Sequence, residues 1–585
     1  MISIKGTSLS KIDRSSTHYK ALQAFHERLK QKDSAIWGSD AQAEASIRLN
    51  WIDLPESSRE LLPQFDALAA KHRDKTSVIL CGMGGSSLGP EVIAQTFSKK
   101  LFVLDSTDPD YVSHALKAEL AKSVVVVSSK SGSTIEPASQ RALFEGAFKD
   151  AGLNPVDHMV FVTDPGSPLD KQVREGGYSV INADPNVGGR FSVLSPFGLL
   201  PAALIGVDVS VLLDNASDTK AAFFADSEMM CDIAYLLTYV ANQYVAYTDQ
   251  GSGMPGLSDW IEQLVAESTG KNQVGRLPVV AESSQVGLEG DAFTIAFTGS
   301  ADLVVEGDLA SQFIVWEWVT ALVGAALAID PFNQPNVTEA KEQTSALLNE
   351  WKGVLPTFTS NTTVGTIEIF GAGSNVTDAL SQLISQISVD GYIAVMAYLD
   401  RKDDVAIAEI RTILASKSGR PVTFGWGPRF LHSTGQFHKG GQQNGVFLQI
   451  TGDVKKDIAI PGQIYGFKTL VAAQALGDGK ALASRKYPLL RFNLTNRAMG
   501  ISELLEAAKA LYYLLLVIST KFAKRFFQKF FTFSICATLF YIGKVSLVRH
   551  VYFWARWIVA IATCRVTTLW AIPLSWNNNC FFNSK

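Results

Sequence analysis

Cysteine is scarce in this chain: five in 585 residues, with no C-x-x-C pair and no cysteine–histidine cluster at metal-ligand spacing. That argues against both a disulfide framework and a thiolate metal site. Cys81 and Cys231 stand alone in apolar surroundings, and a reducing compartment, the cytoplasm, is expected. An excess of one charge is also missing. Fifty-two lysines and arginines face 56 aspartates and glutamates, a net charge of −4, so no global basic field points to nucleic acid. The N-terminal residues, with Lys5, Lys11, Asp13 and Arg14 among polar neighbours, lack the apolar run of a secretory signal. The glycine-rich stretch near residue 85 has neither the Gly-Lys-Ser/Thr ending of a nucleotide loop nor the G-x-G-x-x-G spacing of a dinucleotide site.

What is present is organised around that stretch. The apolar run Val78-Ile79-Leu80-Cys81 breaks into Gly82-Met83-Gly84-Gly85-Ser86-Ser87-Leu88-Gly89-Pro90 and resumes as Glu91-Val92-Ile93-Ala94. This pattern predicts a buried strand, a tight turn and a helix. Glycines let the backbone approach a ligand, and the amides opening the helix offer an anion seat, so the turn is expected to cradle a phosphate. Taken alone, it could equally be a turn with no ligand. A second stretch repeats the design: Val124 to Val127 empties into Ser128-Ser129-Lys130-Ser131-Gly132-Ser133-Thr134, ahead of another helical segment. Hydroxyls donate to phosphate oxygens and the lysine adds a point charge. Two strand ends are expected to converge on one anion.

At 63.4 kDa the chain is long enough for more than one core. Residues 1–70 read as a helical arm, with Tyr19, Leu22, Phe25 and Leu29 at helical spacing. From 71 to 230, strand candidates (Leu101–Leu104, Val124–Val127, Met159–Val162, Tyr178–Ile181) alternate with helices, predicting a doubly wound, mainly parallel α/β sheet whose ligands sit at the strand carboxyl ends. From 231 to 508 a long helix over Ile233–Tyr247 is expected first. A second α/β domain follows, with strands near Pro278–Ala281, Phe293–Phe297, Thr366–Phe370, Tyr392–Met396, Val422–Phe424 and Val446–Ile450.

Three further groups carry titratable or cationic chemistry. Gly188-Gly189-Arg190 delivers an arginine at the mouth of an apolar helix; a surface arginine after a turn is the plainer alternative. Glu267 ends an apolar segment beside Ser268-Thr269-Gly270-Lys271, where a solvated helix end would look the same. His432-Ser433-Thr434-Gly435-Gln436-Phe437-His438-Lys439 is the densest polar, titratable cluster in the chain, and each histidine could be an ordinary hydrogen-bonded loop residue.

Over roughly residues 4 to 508 these motifs, in this order, resemble the glucose-6-phosphate isomerase family, built from two sugar-isomerase (SIS) domains. The stretch Phe430 to Gly440 is similar to a divergent bacterial branch related to a transaldolase-fused form. The resemblance implies a metal- and cofactor-free aldose–ketose isomerisation through a cis-enediol. Ser86, Ser129, Lys130, Ser131 and Thr134 would hold the sugar phosphate, and Gly85, Gly189 and His438 would also bind the substrate. Glu267 would move the proton between C2 and C1, helped if partial burial lifts its pKa toward working pH. Arg190 would stabilise the enediolate. The family's ring-opening histidine is missing: none lies between His158 and His432, and the matching place reads Ser311-Gln312-Phe313. Ring opening is therefore assigned to Lys439, with His432 or His438 assisting. A homodimer is implied. A phosphosugar sensor would need the loops but no base, and mannose 6-phosphate acceptance stays open.

Beyond Glu506 no acidic residue occurs, while lysines and arginines punctuate aromatic and aliphatic runs. This tail, 509–585, lies outside the resemblance. It reads as the product of a shifted reading frame or a lost stop codon, with a membrane-associated segment or an ordinary added element as alternatives; membrane contact is expected only if it is genuine.

Overall fold

The computed structural model describes residues 2–283 and 292–511, all within one compact unit, Met1–Tyr513. The apolar basic tail falls outside the described residues. The expected α/β architecture with mainly parallel sheets is what the chain adopts.

The first sheet has the order Phe102–Leu104, Ser77–Cys81, Ser123–Ser128, Met159–Thr163, Ser179–Asn182, every pair parallel. Ser123–Ser128 is buried along its whole length, as a β-branched run between two helical layers should be. The chain enters at Ser77–Cys81, runs to one edge and then crosses back to Ser123–Ser128. The topology therefore reverses between these two strands, and a crevice opens at their carboxyl ends. Both phosphate-type loops leave from that point.

Residues 231–508 carry most of two further sheets. The middle one runs Ser3–Lys5, Leu303–Glu306, Phe293–Ala296, Tyr244–Thr248, Leu277–Val280. It is parallel except for the N-terminal strand, which pairs antiparallel with Leu303–Glu306. The arm is thus not wholly helical: its first residues close a sheet edge. The long helix expected over Ile233–Tyr247 is also corrected. Helix Glu228–Tyr235 passes into a π-turn, Leu236–Val240, and the chain then extends into the central strand Tyr244–Thr248. Asn242 caps this break by accepting from the Tyr244 amide (2.9 Å), and the aromatic, β-branched run that follows suits a fully buried strand.

The third sheet runs Thr362–Val364, Ile367–Phe370, Leu489–Leu494, Gly445–Gly452, Tyr392–Tyr398, Val422–Trp426. Its last four strands are parallel, and the Thr362–Phe370 hairpin is laid antiparallel on the edge. Helix Leu309–Ala326 is long and apolar enough to cross a membrane, yet it is almost entirely buried within the protein, which makes it a core helix of the middle layer.

Candidate active site

The reversal point of the first sheet is the floor of an open cleft enclosing about 1010 Å³, solvent included. Seven stretches that are separate in sequence line it. The first loop leaves Cys81 and tightens into the turn Gly84–Ser86 before helix Leu88–Thr96. Gly84 has φ +56°, and a Cβ there would press on Gln263 Nε2 at 2.7 Å and His432 Cβ at 3.1 Å. A Cβ on Gly85 would lie 1.9 Å from the Gly189 carbonyl oxygen. The loop is glycine-rich because three other cleft segments pack onto its backbone.

The second loop leaves Ser128 and ends where Thr134 opens helix Ile135–Asp150. Thr134 takes the N-cap position without its side chain capping the helix. The Ser128 and Ser129 hydroxyls are buried and have no hydrogen-bond partner. Hydroxyls without a partner among the described residues, close to the positive end of a 16-residue helix, are donors of the kind that can hold an anion. Lys130 is already engaged, with its Nζ 2.8 Å from Asp164 and donating to the Pro185 carbonyl at 2.9 Å. Asp164, which the sequence reading passed over, therefore shares the cleft wall.

Arg190 is 4 % exposed, far from the alternative of a surface arginine. Its Nε donates to Ser268 Oγ (2.9 Å), Nη1 to Gln334 Oε1 (3.0 Å) and Nη2 to the carbonyls of Pro331 and Asn333. Burial pushes its pKa down and the neighbouring Glu267 opposes that shift. Nη1 lies 3.1 Å from Glu267 Oε1. Glu267 stands in the last turn of helix Leu257–Thr269, which is buried between layers, and its Oε2 accepts from Gln263 Nε2 at 3.2 Å. It is not a solvated helix end. Glu267 and the immobilised Arg190 thus stand side by side in the cleft, which Asp164 also lines.

His432 ends the short turn Arg429–His432 of the third layer and lines the cleft. Its Nε2 is 3.1 Å from Glu136 Oε1, and its carbonyl accepts from Gln263 Nε2 at 2.8 Å. Glu136 is buried; burial raises its pKa, but His432, the residue's own backbone amide and Lys341 together outweigh this and the net shift is downward. Gln474 Nε2 donates to the same Glu136 oxygen at 2.7 Å. The imidazole is therefore clamped from behind.

The structure brings Gly85, Ser86, Ser129, Lys130, Ser131, Thr134, Gly189, Arg190, Glu267 and His432 to one cleft. It does not bring Lys439 or His438 there. Lys439 Nζ is 2.6 Å from Asp478 Oδ1, both side chains 1 % exposed, and it also donates to the Gly435 carbonyl. His438 lies under the third sheet, its Nδ1 2.9 Å from the Tyr392 hydroxyl and its ring stacked on that tyrosine. The physical reason is one buried helix, Thr434–Gly440, whose polar side chains find partners in the core. Ser311 and Gln312 are likewise absorbed in the core, bonded to Asp308 and to the Val305 carbonyl.

Sequence reasoning missed Gln263, Gln334, Thr338 and Lys341, all of which line the cleft. The last two lie on helix Pro335–Trp351. Lys341 also lines an adjoining cavity with Glu136 and His432. Its ammonium group has no ion-pair partner among the described residues. An apolar-faced helix with one lysine gave no signal in the sequence.

Burial of His438, with Lys439 adjacent, lowers its pKa from 6.5 to about 3. The unfolded chain binds this proton below pH 6.5 and the native one only near pH 3, so the stability is complete above 6.5 and drains as pH falls through that window. Between pH 7 and 5 this one residue is expected to cost about 2 kcal/mol. Urea unfolding at the two pH values checks it: His438→Gln should shrink the difference by about that amount and leave the part due to the buried His26 and His72.

The family described as phosphoglucose isomerase matches residues 65–276. A glucose-6-phosphate isomerase of Synechococcus sp. (strain JA-3-3Ab) is 34% identical over 216 residues, 34% of this chain and 40% of that protein. That of Carboxydothermus hydrogenoformans is 30% identical over 285 residues, 43% of this chain and 61% of that protein. The chain thus spans about half the length of the curated relatives it matches. Among solved structures, a glucose-6-phosphate isomerase from Chlamydia trachomatis superposes with TM-score 0.49 at 18% identity, covering 61% of this chain and 89% of that one.

Proposed function

We propose that this chain, similar over residues 65–276 to the phosphoglucose isomerase family, is a divergent member of it and interconverts glucose 6-phosphate and fructose 6-phosphate. The observation that carries the reading is the Arg190–Glu267 pair, 3.1 Å apart, facing an unfilled hydroxyl-rich helix N-terminus. Sensors need the seat; only proton transfer needs the pair.

The phosphate sits on Ser129, Ser131, Thr134 and the amides opening helix Ile135–Asp150, with Ser86 and the Gly85–Gly189 contact forming the opposite wall. Lys130, held by Asp164, lends its charge from the side. Anchoring the phosphate fixes C1 and C2 against the far wall, which turns remote binding energy into alignment. Glu267 takes the proton from C2 of the open-chain aldose and returns it to C1. The negative charge that grows on the enediolate oxygens meets Arg190, whose four other hydrogen bonds leave no reorganisation to be done in the transition state.

Ring opening needs a proton delivered to the ring oxygen and one removed from the anomeric hydroxyl. With Lys439 locked to Asp478, this step falls to His432, backed by Glu136, and to Lys341, the unpaired cation beside it. His438 plays no part in the chemistry. A cytoplasmic homodimer goes with this reading.

The test is turnover of fructose 6-phosphate by the full chain in a coupled assay. A folded protein that binds inorganic phosphate but gives no turnover sinks the reading. A companion prediction concerns Lys439→Met, which strands Asp478 in the core. The variant should lose about 3–5 kcal/mol of stability yet keep parental turnover per folded molecule. Loss of turnover in a variant that melts normally would return Lys439 to the chemistry.

A further inference from the structure

His432 reaches the cleft from the third layer, and what holds its turn in place lies outside the cleft. The turn opens on Arg429, whose Nη1 is 2.8 Å from Glu91 Oε2 and 3.3 Å from Asp105 Oδ2. Arg401, in the loop after strand Tyr392–Tyr398, takes the other two oxygens: Nη1 to Glu91 Oε1 at 2.6 Å and Nε to Asp105 Oδ1 at 3.3 Å. None of the four side chains is more than 17% exposed. Glu91 stands in the first turn of helix Leu88–Thr96, the direct continuation of the Gly82–Ser87 loop. Asp105 follows the edge strand Phe102–Leu104. Two cations of the third layer therefore close onto two anions of the first. Burial alone pushes the Glu91 carboxyl up, and the two guanidiniums reverse this and hold it near 2; that carboxylate stays ionised.

From Arg429 to His432 there is a single tight turn, with Phe430 and Leu431 buried at 2% and 6% exposure. Such a turn has no slack. A shift at Arg429 is passed directly to His432, whose Cβ and backbone carbonyl lie against Gly84 and whose carbonyl accepts from Gln263 Nε2.

We propose that this buried four-charge cluster positions the active site: Arg429, clamped by Glu91 and Asp105, sets His432 against Glu136 and makes the third layer a working part of the cleft. Arg429 touches no substrate and acts through His432, so it is a positioning residue. The proposal rests on the isomerase reading above.

A cavity of about 680 Å³ beside the cluster is lined by Arg429 together with the carboxyls of Asp259 and Glu262. A small cation can enter it, which gives the test. In full-length Arg429→Ala, kcat for fructose 6-phosphate is expected to fall about 10²-fold, while inhibition by inorganic phosphate is unchanged. Millimolar guanidinium should restore much of kcat in this variant and none in His432→Ala. Parental kcat, or a loss that guanidinium leaves untouched in a variant that melts like the parent, overturns the proposal. If Arg429→Ala does not fold, Arg429→Lys decides: a smaller fall in kcat at constant phosphate inhibition supports it, and parental kcat overturns it. If the parent itself shows no turnover, the reading of the reaction fails, and positioning is then judged by the His432 ring resonances. A shift in Arg429→Ala that guanidinium reverses supports it, and unshifted resonances overturn it.

Discussion

Replacing Glu267 with glutamine is expected to lower kcat for fructose 6-phosphate by about 10²- to 10⁴-fold, with little change in the inhibition constant of inorganic phosphate. Glutamine keeps the volume and the hydrogen-bonding reach of the side chain, so the buried helix Leu257–Thr269 has no steric reason to move. Arg190 loses one partner but keeps Ser268, Gln334 and the carbonyls of Pro331 and Asn333, so the cation stays where the enediolate charge develops. What disappears is the proton acceptor. A fall in kcat with phosphate affinity preserved is the signature of an interaction made only along the reaction path. An independent readout is the fate of deuterium at C2 of glucose 6-phosphate. A single carboxylate carrying the proton delivers part of the label to C1 and loses the rest to water. Complete loss of label in the parent, or a variant that turns over normally, would remove Glu267 from this role.

The parts of the site that could be read in advance are those whose signal is local. Val124 to Val127 followed by Ser129-Lys130-Ser131 announces a strand end and a group of candidate anion donors within a dozen residues, and these residues line the cleft. Glu267 was ambiguous in the sequence because an acid at the end of an apolar segment looks alike whether the end meets water or a cleft. Only the packing of three layers around Leu257–Thr269 decides between them. The placement of Lys439 away from the cleft was hidden from the sequence for a related reason. A dense run of polar residues was taken as a site, but the carboxylate that neutralises Lys439 comes from Asp478, on a helix far along the chain. Lys341 escaped notice for the opposite reason, as one cation on an ordinary-looking helix whose position in the cleft follows from tertiary packing alone. Periodicity also stopped short at Tyr244–Thr248, where a buried strand directly after a helix continues the same apolar run.

Gly85→Ala is expected to be the most damaging of the small substitutions, lowering kcat/KM by at least about 10²-fold and weakening phosphate inhibition with it. The backbone at Gly85 has no need of positive φ, so alanine is excluded by space alone. Its Cβ would sit 1.9 Å from the Gly189 carbonyl oxygen and 2.4 Å from the carbonyl carbon. Neither atom belongs to a side chain that can swing away, so one of the two loops must retreat. If the Gly82–Ser87 loop moves, the wall opposite the phosphate seat opens, and Gly84 loses its fit against Gln263 and His432. If the other loop moves, Arg190, the residue after Gly189, is pulled from Glu267. Either retreat separates groups whose separations are only about 3 Å. This differs from the Glu267→Gln signature, because binding and turnover fall together. The control is Gly188, two residues before Arg190, where an added Cβ would meet nothing closer than Phe191 Cδ2 at 3.9 Å. Gly188→Ala should therefore behave like the parent in steady-state kinetics and in phosphate inhibition. Equal behaviour of the two alanine variants would show that the loop contact is not what assembles the site.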